Sequence, residues 1–218
     1  MSNDYLTDRR RARIANVLEN RTRRVTVLLE DIYDPLNANA VLRTCDGLGI
    51  QDIHVAENRH KFTVHSKVSG HTAHWLTLHR YRTHSLPAKT DFRIKPEGVQ
   101  PSTEKAYKHL KDAGYIILAT SPRGTPTPLD NLDTTKKYVV ALGSEHWGLS
   151  DYAIENGDKT IALPMLGFTE SYNISVTAAM ILFYLTKRLT GERGLTEHEK
   201  NQLWQQWGAR GAKPLEPT

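Results

Sequence analysis

The stretch that decides the fold is residues 161–185, which read IALPMLGFTESYNISVTAAMILFYL. It predicts a short buried strand at 160–163, a loop after Pro164, and a helix from Asn173 that is apolar on nearly every side. Such a helix needs burial on two sides, which the face of one small sheet cannot supply. Polar residues gather where the helix begins and its first N–H groups lie free. The stretch therefore predicts either a ligand site or a plainly capped β–loop–α connection.

The same alternation of buried apolar runs and helices recurs along the rest of the chain. Strands are predicted at 25–29, 52–56, 74–81, 115–119 and 138–142, and helices at 4–20, 37–48, 102–113 and 196–207. Asn37 is the predicted N-cap of its helix. Strands that alternate with helices predict an α/β fold with a mostly parallel sheet flanked by helices. Residues 60–101 fit this pattern least well, and we interpret much of that segment as irregular.

Composition bounds the class of protein. A chain of 218 residues with 39% hydrophobic side chains suits one domain with terminal appendages. The single Cys45 excludes an internal disulfide and fits a reducing cytoplasm. No apolar run approaches the ~20 residues of a membrane span, and the arginine-rich N-terminus lacks the apolar core of a secretory signal. We therefore expect a cytoplasmic protein with no membrane association.

The net charge of +5 lies at the two ends of the chain. Residues 1–24 hold seven arginines against three acids, and residues 187–218 hold six bases against four acids. A neutral body with basic ends predicts appendages that bind a polyanion, although a solvated amphipathic helix would give the same pattern. We expect a basic N-terminal RNA-binding helix at 1–24, a catalytic domain at 25–190 and a C-terminal helical extension at 191–218. The candidate RNA-binding side chains are Arg9, Arg10, Arg11 and Arg13.

Several familiar signatures are missing. The Gly-Leu-Gly at 47–49 closes a predicted helix instead of opening one, so it is not a dinucleotide fingerprint. The sequence holds no Walker A motif and no Gly-x-Ser-x-Gly elbow. Seven of the ten histidines lie between His54 and His84, including a His-x-x-His at 71–74, but no carboxylate or cysteine stands at ligand spacing. We therefore expect no metal site.

Three stretches place polar residues at the predicted carboxyl ends of strands or at the starts of the following helices. They are NANAVLRT at 37–44, LGSEHWGL at 142–149, and residues 163–175. Ligands of open α/β sheets collect at that edge. Together the three stretches resemble the motifs of the SPOUT class of S-adenosylmethionine-dependent RNA methyltransferases, in particular the TrmH branch of tRNA guanosine 2′-O-methyltransferases. The resemblance covers roughly residues 5–190.

The resemblance implies a homodimer and a deep trefoil knot formed by the chain after Gly143. It implies a catalytic group made of Asn37, Arg43, Glu145, Ser171 and Asn173. It also implies S-adenosylmethionine contacts from Thr120, Gly143, Gly148, Leu163, Met165 and Tyr172. Glycines fit such a site if the cofactor approaches the backbone closely. Arg43 is the essential arginine of the family and could act either as a base or by binding phosphate and stabilising an alkoxide.

The implied reaction is methylation of a ribose 2′-hydroxyl in tRNA, most typically that of guanosine 18 in the D-loop. One alternative is a ribosomal RNA 2′-O-methyltransferase of the sister branch, which often carries a separate RNA-binding domain much longer than residues 1–24. Another is a non-catalytic RNA-binding protein that retains the knot. Such a protein is expected to have lost Arg43 or the loop glycines, and this sequence keeps both.

Overall fold

The computed structural model describes residues 7–63, 72–86, 95–190 and 194–211. Parts of the irregular segment at 60–101, including His71 of the His-x-x-His pair, lie outside the described residues, as does the end of the chain after residue 211. Within the described residues, no helix combines the length and apolarity that a bilayer crossing requires.

Six strands form one sheet at the centre of the molecule. They are β1 (Val25–Glu30), β2 (Asp52–Ala56), β3 (Thr77–Tyr81), β4 (Tyr115–Thr120), β5 (Lys137–Leu142) and β6 (Lys159–Ile161). Their order is β3-β2-β1-β5-β4-β6, and all five pairings between them are parallel. Of the two central strands, β1 is fully buried and β5 is buried after its first residue, Lys137, as expected for apolar strands covered on both faces. The prediction of an α/β fold with a mostly parallel sheet is confirmed.

Helices cover both faces of the sheet. They are α1 (Asp8–Glu19), α2 (Pro35–Gly47), α3 (Pro101–Asp112), α4 (Asp151–Glu155), α5 (Ile174–Arg188) and α6 (Glu197–Gly211). On one face, α2 and α5 pack against each other and bury side chains such as Leu42 and Leu182. On the other face, α3 and α4 bury Leu110 and Ala153 against β4 and β5.

Two predicted boundaries are wrong for local reasons. The N-cap of α2 is Asp34, not Asn37, because Pro35 fixes the first helical residue and the Asp34 carboxylate accepts the N–H of Leu36 at 2.9 Å. The edge strand β6 ends at Ile161, although the sequence pattern continues to residue 163. It stops there because Ile161 pairs with Thr120, which is the last residue of its neighbour β4.

The helix α5 also departs from the prediction that it is buried on two sides. Its inner side packs on α2 and the sheet. Its outer side carries Val176 and Met180, each 44% exposed, and Phe183, which is 53% exposed. A single chain therefore covers only one side of this apolar helix.

The two terminal helices pack against each other. Ile14 and Leu18 of α1 form a small core with Leu203 and Trp207 of α6. Arg21 fastens this pair to the sheet domain, since its guanidinium lies 5.3 Å from the Trp207 ring centre and pairs with Asp46 of α2 at 2.5 Å. Arg21 is only 1% exposed, so one of the N-terminal arginines serves the interior instead of the surface.

Candidate active site

The candidate site lies at the carboxyl edge of the sheet, between β1 and β5. These strands are neighbours, yet the chain leaves β1 towards β2 and leaves β5 towards β6, on opposite sides of the sheet. A crevice opens where neighbouring strands diverge in this way, and ligands of open α/β sheets bind there. Asn37 follows β1, and Glu145 follows β5.

A chain of side-chain hydrogen bonds joins the three sequence motifs in this crevice. Asn173 Nδ2 donates to Asn37 Oδ1 at 3.0 Å, and Asn37 Nδ2 donates to Glu145 Oε1 at 3.1 Å. The direction is fixed because an ionised carboxylate can only accept, so Asn37 must turn its nitrogen towards Glu145. We call Asn37, Glu145 and Asn173 the edge cluster.

Each member of the edge cluster is also tied to the backbone around it. Glu145 accepts the N–H of Asp34 at 3.2 Å and that of Tyr33 at 3.4 Å, which fastens the loop after β5 to the start of α2. Asn173 is the N-cap of α5, and its Oδ1 accepts from the N–H and the hydroxyl of Ser175 at 2.8 and 2.6 Å. The edge cluster thus holds two helix starts and one loop in a fixed relation.

The other two predicted catalytic residues lie outside these bonds. Arg43 is exposed on α2 and makes no hydrogen bond or ion pair with any residue that the structure describes. Ser171, in the loop before α5, is exposed and likewise has no such bond within the described part of the chain. Asn39, one turn before Arg43, is buried, and both polar atoms of its side-chain amide lack a partner among the described residues. The structure therefore brings together three of the five predicted residues and leaves Arg43 and Ser171 open to solvent.

The predicted cofactor contacts lie at the ends of three adjacent strands. Thr120 ends β4, and its hydroxyl donates to the carbonyl of Ala141 in β5 at 2.8 Å. The loop at 162–173 starts beside β4 at the end of β6 and finishes at Asn173, which bonds to Asn37 beyond β1. Because strands are spaced by ~4.8 Å, the loop must span about 14 Å across the ends of β4 and β5.

The side chains of this loop fit an adenosine-type ligand. Leu166 and Phe168 are fully exposed, Tyr172 is partly exposed, and Leu163 and Met165 are half-buried. Apolar side chains beside free backbone groups at a strand edge can enclose a flat heterocycle and leave polar groups for its sugar and amino-acid parts. The residues present therefore fit S-adenosylmethionine.

The two loop glycines are required by the turn itself, which is the alternative to close approach by the cofactor. The turn at 144–148 is closed by hydrogen bonds in both directions between Ser144 and Gly148, each 2.9 Å long. A Cβ on Gly143 would lie 1.9 Å from the carbonyl carbon of Gly148, and Gly148 itself has a φ of +70°. Both positions therefore require glycine before any cofactor is bound.

A buried carboxylate supports the crevice from below. Glu30, at the end of β1, accepts from the N–H and hydroxyl of Ser150 at 2.8 and 2.9 Å and from the hydroxyl of Thr103 at 2.6 Å. Burial raises the pKa of Glu30, against the hydrogen bonds that lower it. Through Ser150, the N-cap of α4, Glu30 fixes the helix that follows the candidate loop.

Sequence reasoning missed a second concavity on the other side of Glu145. Its lining includes Asp31, Tyr33, His60 and Trp147. These residues come from three separate connections, and no spacing in the sequence links them. The one local signal is Asp31, a non-glycine residue with a φ of +52°, and that signal is visible only in the structure.

The predicted RNA-binding arginines lie on α1. Arg9 and Arg13 are exposed, while Arg10 and Arg11 are half-buried. Arg9 and Arg13 stand on the side of α1 away from its core residues Ile14 and Leu18, whereas Arg10 and Arg11 precede Ile14 by four and three residues and share its face. Among the residues that the structure describes, no group of three or more histidines, cysteines or acids is arranged to hold a metal ion.

Comparisons with known proteins place these features in context. The family described as the SpoU rRNA Methylase family matches residues 24–183. A tRNA (guanosine(18)-2′-O)-methyltransferase of Borreliella burgdorferi is 35% identical over 91% of this chain and 84% of that protein. The solved structure of an A. aeolicus TrmH/SpoU tRNA modifying enzyme has a TM-score of 0.76 at 23% identity and covers 93% of this chain and 96% of that one. An AdoMet-bound rRNA methyltransferase from Sinorhizobium meliloti has a TM-score of 0.60 at 18% identity, over 79% of this chain and 59% of that one.

Proposed function

The chain belongs to the SpoU rRNA methylase family, and on that premise we propose that it methylates the ribose 2′-hydroxyl of guanosine 18 in tRNA, with S-adenosylmethionine as the methyl donor. The observation that carries the proposal is the edge cluster, in which Asn37, Glu145 and Asn173 join all three motifs, the first of which also contains the exposed Arg43. The Borreliella burgdorferi relative, with a name that specifies guanosine 18 of tRNA, supports this choice of substrate.

The cofactor would be held by the loop at 162–173 together with Thr120 and Gly143. When bound, S-adenosylmethionine supplies a methyl group that its sulfonium has already activated for transfer. The protein must then align the 2′-hydroxyl with that methyl and accommodate the departing proton, and alignment alone can supply much of the acceleration. Cys45 has no part in this, because it is buried in the core and burial raises its pKa far above the ordinary value.

Arg43 suits an electrostatic role. A guanidinium keeps its proton in proteins, so it is a poor base at neutral pH. With no described partner inside the protein, its five N–H donors are available to a phosphate beside the target ribose. In that position it would orient the nucleotide and offset the negative charge that develops on the 2′-oxygen. The proton would then leave to a phosphate oxygen or to water.

The edge cluster suits a positioning role. The carboxylate of Glu145 already accepts from Asn37 and from the N–H groups of Tyr33 and Asp34. A carboxylate occupied in this way links these segments of the chain. Asn37 and Asn173 would likewise act by holding the starts of α2 and α5 where Arg43 and the cofactor loop require them.

The outer side of α5 supports a homodimer. Val176, Met180 and Phe183 make an apolar stripe that this chain leaves exposed, and such stripes mark interaction surfaces. A second copy related by two-fold symmetry would cover it with the same side chains. The proposal includes the trefoil knot after Gly143 that the family resemblance implies.

The terminal helices would form the RNA-binding extension, with residues 1–24 and 191–218 as appendages of a catalytic domain at 25–190. The exposed guanidiniums of Arg9 and Arg13 and the shared core of α1 and α6 support this division. A tRNA substrate and a free, buried cysteine fit a cytoplasmic location.

The test is incubation of the full chain with methyl-labelled S-adenosylmethionine and an unmodified tRNA transcript, followed by nucleoside mapping. We expect 2′-O-methylguanosine at position 18, and no label in a transcript with adenosine there. Label in a 23S ribosomal RNA transcript but not in tRNA would favour the ribosomal alternative. Light scattering at micromolar concentration should give twice the 24.7 kDa of one chain, and a monomer would contradict the dimer.

A further inference from the structure

The second concavity beside Glu145 has the composition of a nucleobase pocket. Its walls come from the connections after β1, β2, β3 and β5, so it lies on the same sheet edge as the edge cluster. It touches the edge cluster directly, because the N–H of Tyr33 in one wall donates to Glu145. The lining residues are Asp31, Tyr33, Arg59, His60, Pro96, Ser144, His146 and Trp147.

Two pairs of aromatic rings line this concavity, which we call the base pocket. The rings of Tyr33 and His60 stand 5.8 Å apart between centres, and those of His146 and Trp147 stand 4.7 Å apart at a right angle. Tyr33 is 42% exposed, so its ring presents surface to the opening. Aromatic side chains of this kind hold unstacked RNA bases by their faces.

The floor of the base pocket is the carboxylate of Asp31, and only one of its two oxygens accepts hydrogen bonds from the described residues. Asp31 is 6% exposed, and its Oδ1 accepts from the N–H groups of Asn58, Arg59 and His60 at 2.8, 2.7 and 3.1 Å. Oδ2 accepts no hydrogen bond from any residue in the described ranges. Oδ2 is also absent from the buried side-chain atoms that lack a hydrogen-bond partner, so solvent can reach it. We infer that it faces the concavity that Asp31 lines.

The chemistry of this floor selects among the four bases. An ionised carboxylate accepts hydrogen bonds and donates none. Guanine places two neighbouring donors, N1–H and N2–H, on its Watson–Crick edge, whereas adenine and cytosine place an acceptor next to their amino group and uracil has a single donor. We propose that this pocket holds the guanine base of the target nucleoside, with Asp31 Oδ2 accepting from N1–H and N2–H. The inference rests on the proposed tRNA methylation and makes Asp31 the residue that selects guanine.

The experiment changes one atom on each side of that contact. In Asp31→Asn, the retained Oδ1 can still accept the three backbone N–H groups, and asparagine tolerates the left-handed backbone conformation. Its side-chain N–H₂ replaces the free oxygen and opposes the donors of guanine. The substrates are tRNA transcripts with guanosine or inosine at position 18, because inosine lacks only the N2 amino group.

We expect the unsubstituted enzyme to prefer guanosine over inosine by ~10-fold or more in kcat/KM, as one hydrogen bond to a charged group predicts. In Asp31→Asn the kcat/KM for guanosine should fall by roughly 10- to 100-fold, and the preference over inosine should shrink to about one. Asp112→Asn, an exposed acid on the last turn of α3, is the matched control and should keep the parent ratio.

Two results would overturn the inference. One is a guanosine-to-inosine ratio near one in the unsubstituted enzyme, which does not depend on how the variant folds. The other is an unchanged ratio in an Asp31→Asn protein that unfolds at the parent temperature. If no tRNA is methylated, the proposed function fails. The pocket is then judged by whether guanosine monophosphate quenches tryptophan fluorescence more strongly than adenosine monophosphate does, and equal quenching would reject it.

Discussion

Two groups of polar side chains, one at the carboxyl edge of the sheet and one within two of its strands, illustrate how a site differs from a scaffold. The edge cluster joins the starts of α2 and α5 to the loop after β5. Arg43 and Ser171, which belong to the same motifs, are exposed, and Asp31 Oδ2 accepts no hydrogen bond from the described residues. The second group, which we call the histidine cluster, consists of His54, His79, Asp52 and Tyr81 in β2 and β3. Its polar atoms face one another.

The hydrogen bonds of the histidine cluster join its members to one another and to Arg23, whose Nε donates to Asp52 Oδ2 at 2.6 Å. His79 Nε2 lies 2.9 Å from Asp52 Oδ1, His54 Nδ1 lies 2.9 Å from the Tyr81 hydroxyl, and the two histidine rings stack at 4.5 Å. Burial, followed by the nearby charge of His79, lowers the pKa of His54 to about 3, and burial raises the pKa of Tyr81 to about 12. Both groups are therefore neutral at physiological pH, and His54, Asp52 and Tyr81 are buried, with His79 at the edge of the cluster partly exposed.

The comparison assigns different consequences to changes in the two groups. Replacing an exposed polar side chain that has no hydrogen-bond partner in the described structure should change turnover or binding, with little effect on stability. Replacing a buried polar side chain that bonds to other residues of the protein should change stability and its pH dependence, with little effect on turnover. The following predictions test that separation.

The largest effect is expected at Arg43. Replacing it with alanine should lower single-turnover methylation of tRNA at least ~100-fold, similar to the loss of one strong transition-state donor. Arg43→Lys should be almost as poor, because lysine cannot form a bidentate contact with phosphate. Stability should change by less than ~0.5 kcal/mol, since the side chain is exposed and has no described partner.

Binding of S-adenosylmethionine to both Arg43 variants should stay within a few-fold of the parent, measured by calorimetry. Lys108→Ala, an exposed cation on α3, is the control and should leave turnover unchanged. Near-normal turnover in Arg43→Ala would remove Arg43 from the mechanism. Near-normal turnover in Arg43→Lys alone would mean that a positive charge suffices and that a bidentate contact with phosphate is not needed.

The next effect concerns the pH dependence of folding at His54. A histidine with a pKa of about 3 in the folded state and about 6.5 in the unfolded chain binds its proton preferentially when unfolded. Its contribution to stability is therefore complete above pH 6.5 and is lost as the pH falls towards 3. Between pH 7.5 and pH 5 the loss amounts to about 2 kcal/mol.

In His54→Asn this pH-dependent loss should disappear from the difference between urea unfolding curves at pH 7.5 and pH 5, recorded at one protein concentration. His198→Asn, an exposed histidine on α6, should keep the parent difference. Turnover of His54→Asn at pH 7.5 should remain within a few-fold of the parent. An unaltered pH dependence would show that His54 does not titrate as its burial implies, and a large fall in turnover would break the separation between the two groups.

The smallest effect is expected on α1. Removing residues 1–24 would be a poor test, because Ile14 and Leu18 belong to the core shared with α6 and Arg21 is buried. The double change of Arg9 and Arg13 to glutamine leaves that core intact. Affinity for tRNA should weaken by roughly 10-fold. The salt dependence should flatten by about two units of slope, one for each phosphate that an arginine no longer neutralises.

The matched control is the change of Lys105 and Lys108 to glutamine, which removes two exposed charges from α3. It should alter neither the affinity nor the slope. Filter binding over a range of salt concentrations measures both quantities. Equal behaviour of the two double variants would reject α1 as an RNA-binding surface.

The sequence predicted the parts of this molecule that depend on local pattern. The buried strands and the order of helices follow from hydrophobic periodicity, and the three motifs fall at one sheet edge because parallel strands share their carboxyl ends. The N-cap of α2 was misplaced because both Asp34 and Asn37 are good caps, and Pro35 decided between them.

The features that were missed depend on contacts between distant residues. In the sequence, Arg21 resembles the other basic residues near the N-terminus. Its contacts with Asp46 and Trp207 are visible only in the folded structure. Asp31 gave no signal, because its partners at 58–60 meet it only after β1 and β2 have paired. The outer side of α5 is exposed because no other part of the described chain packs against it. The composition of a helix does not determine which elements cover it.

The pairing of α1 with α6 has a consequence for biosynthesis. The packing partner of α1 is α6, which lies far along the chain. The apolar side chains of Ile14 and Leu18 therefore lack their core partners until Leu203 and Trp207 have been synthesised. At ~5–20 residues per second, that interval is about 10–40 s. The sheet meets a similar delay, since β1 lies between β2 and the much later β5. A ribosome-bound chain therefore carries its arginine-rich helix without the core that anchors it until α6 has been synthesised.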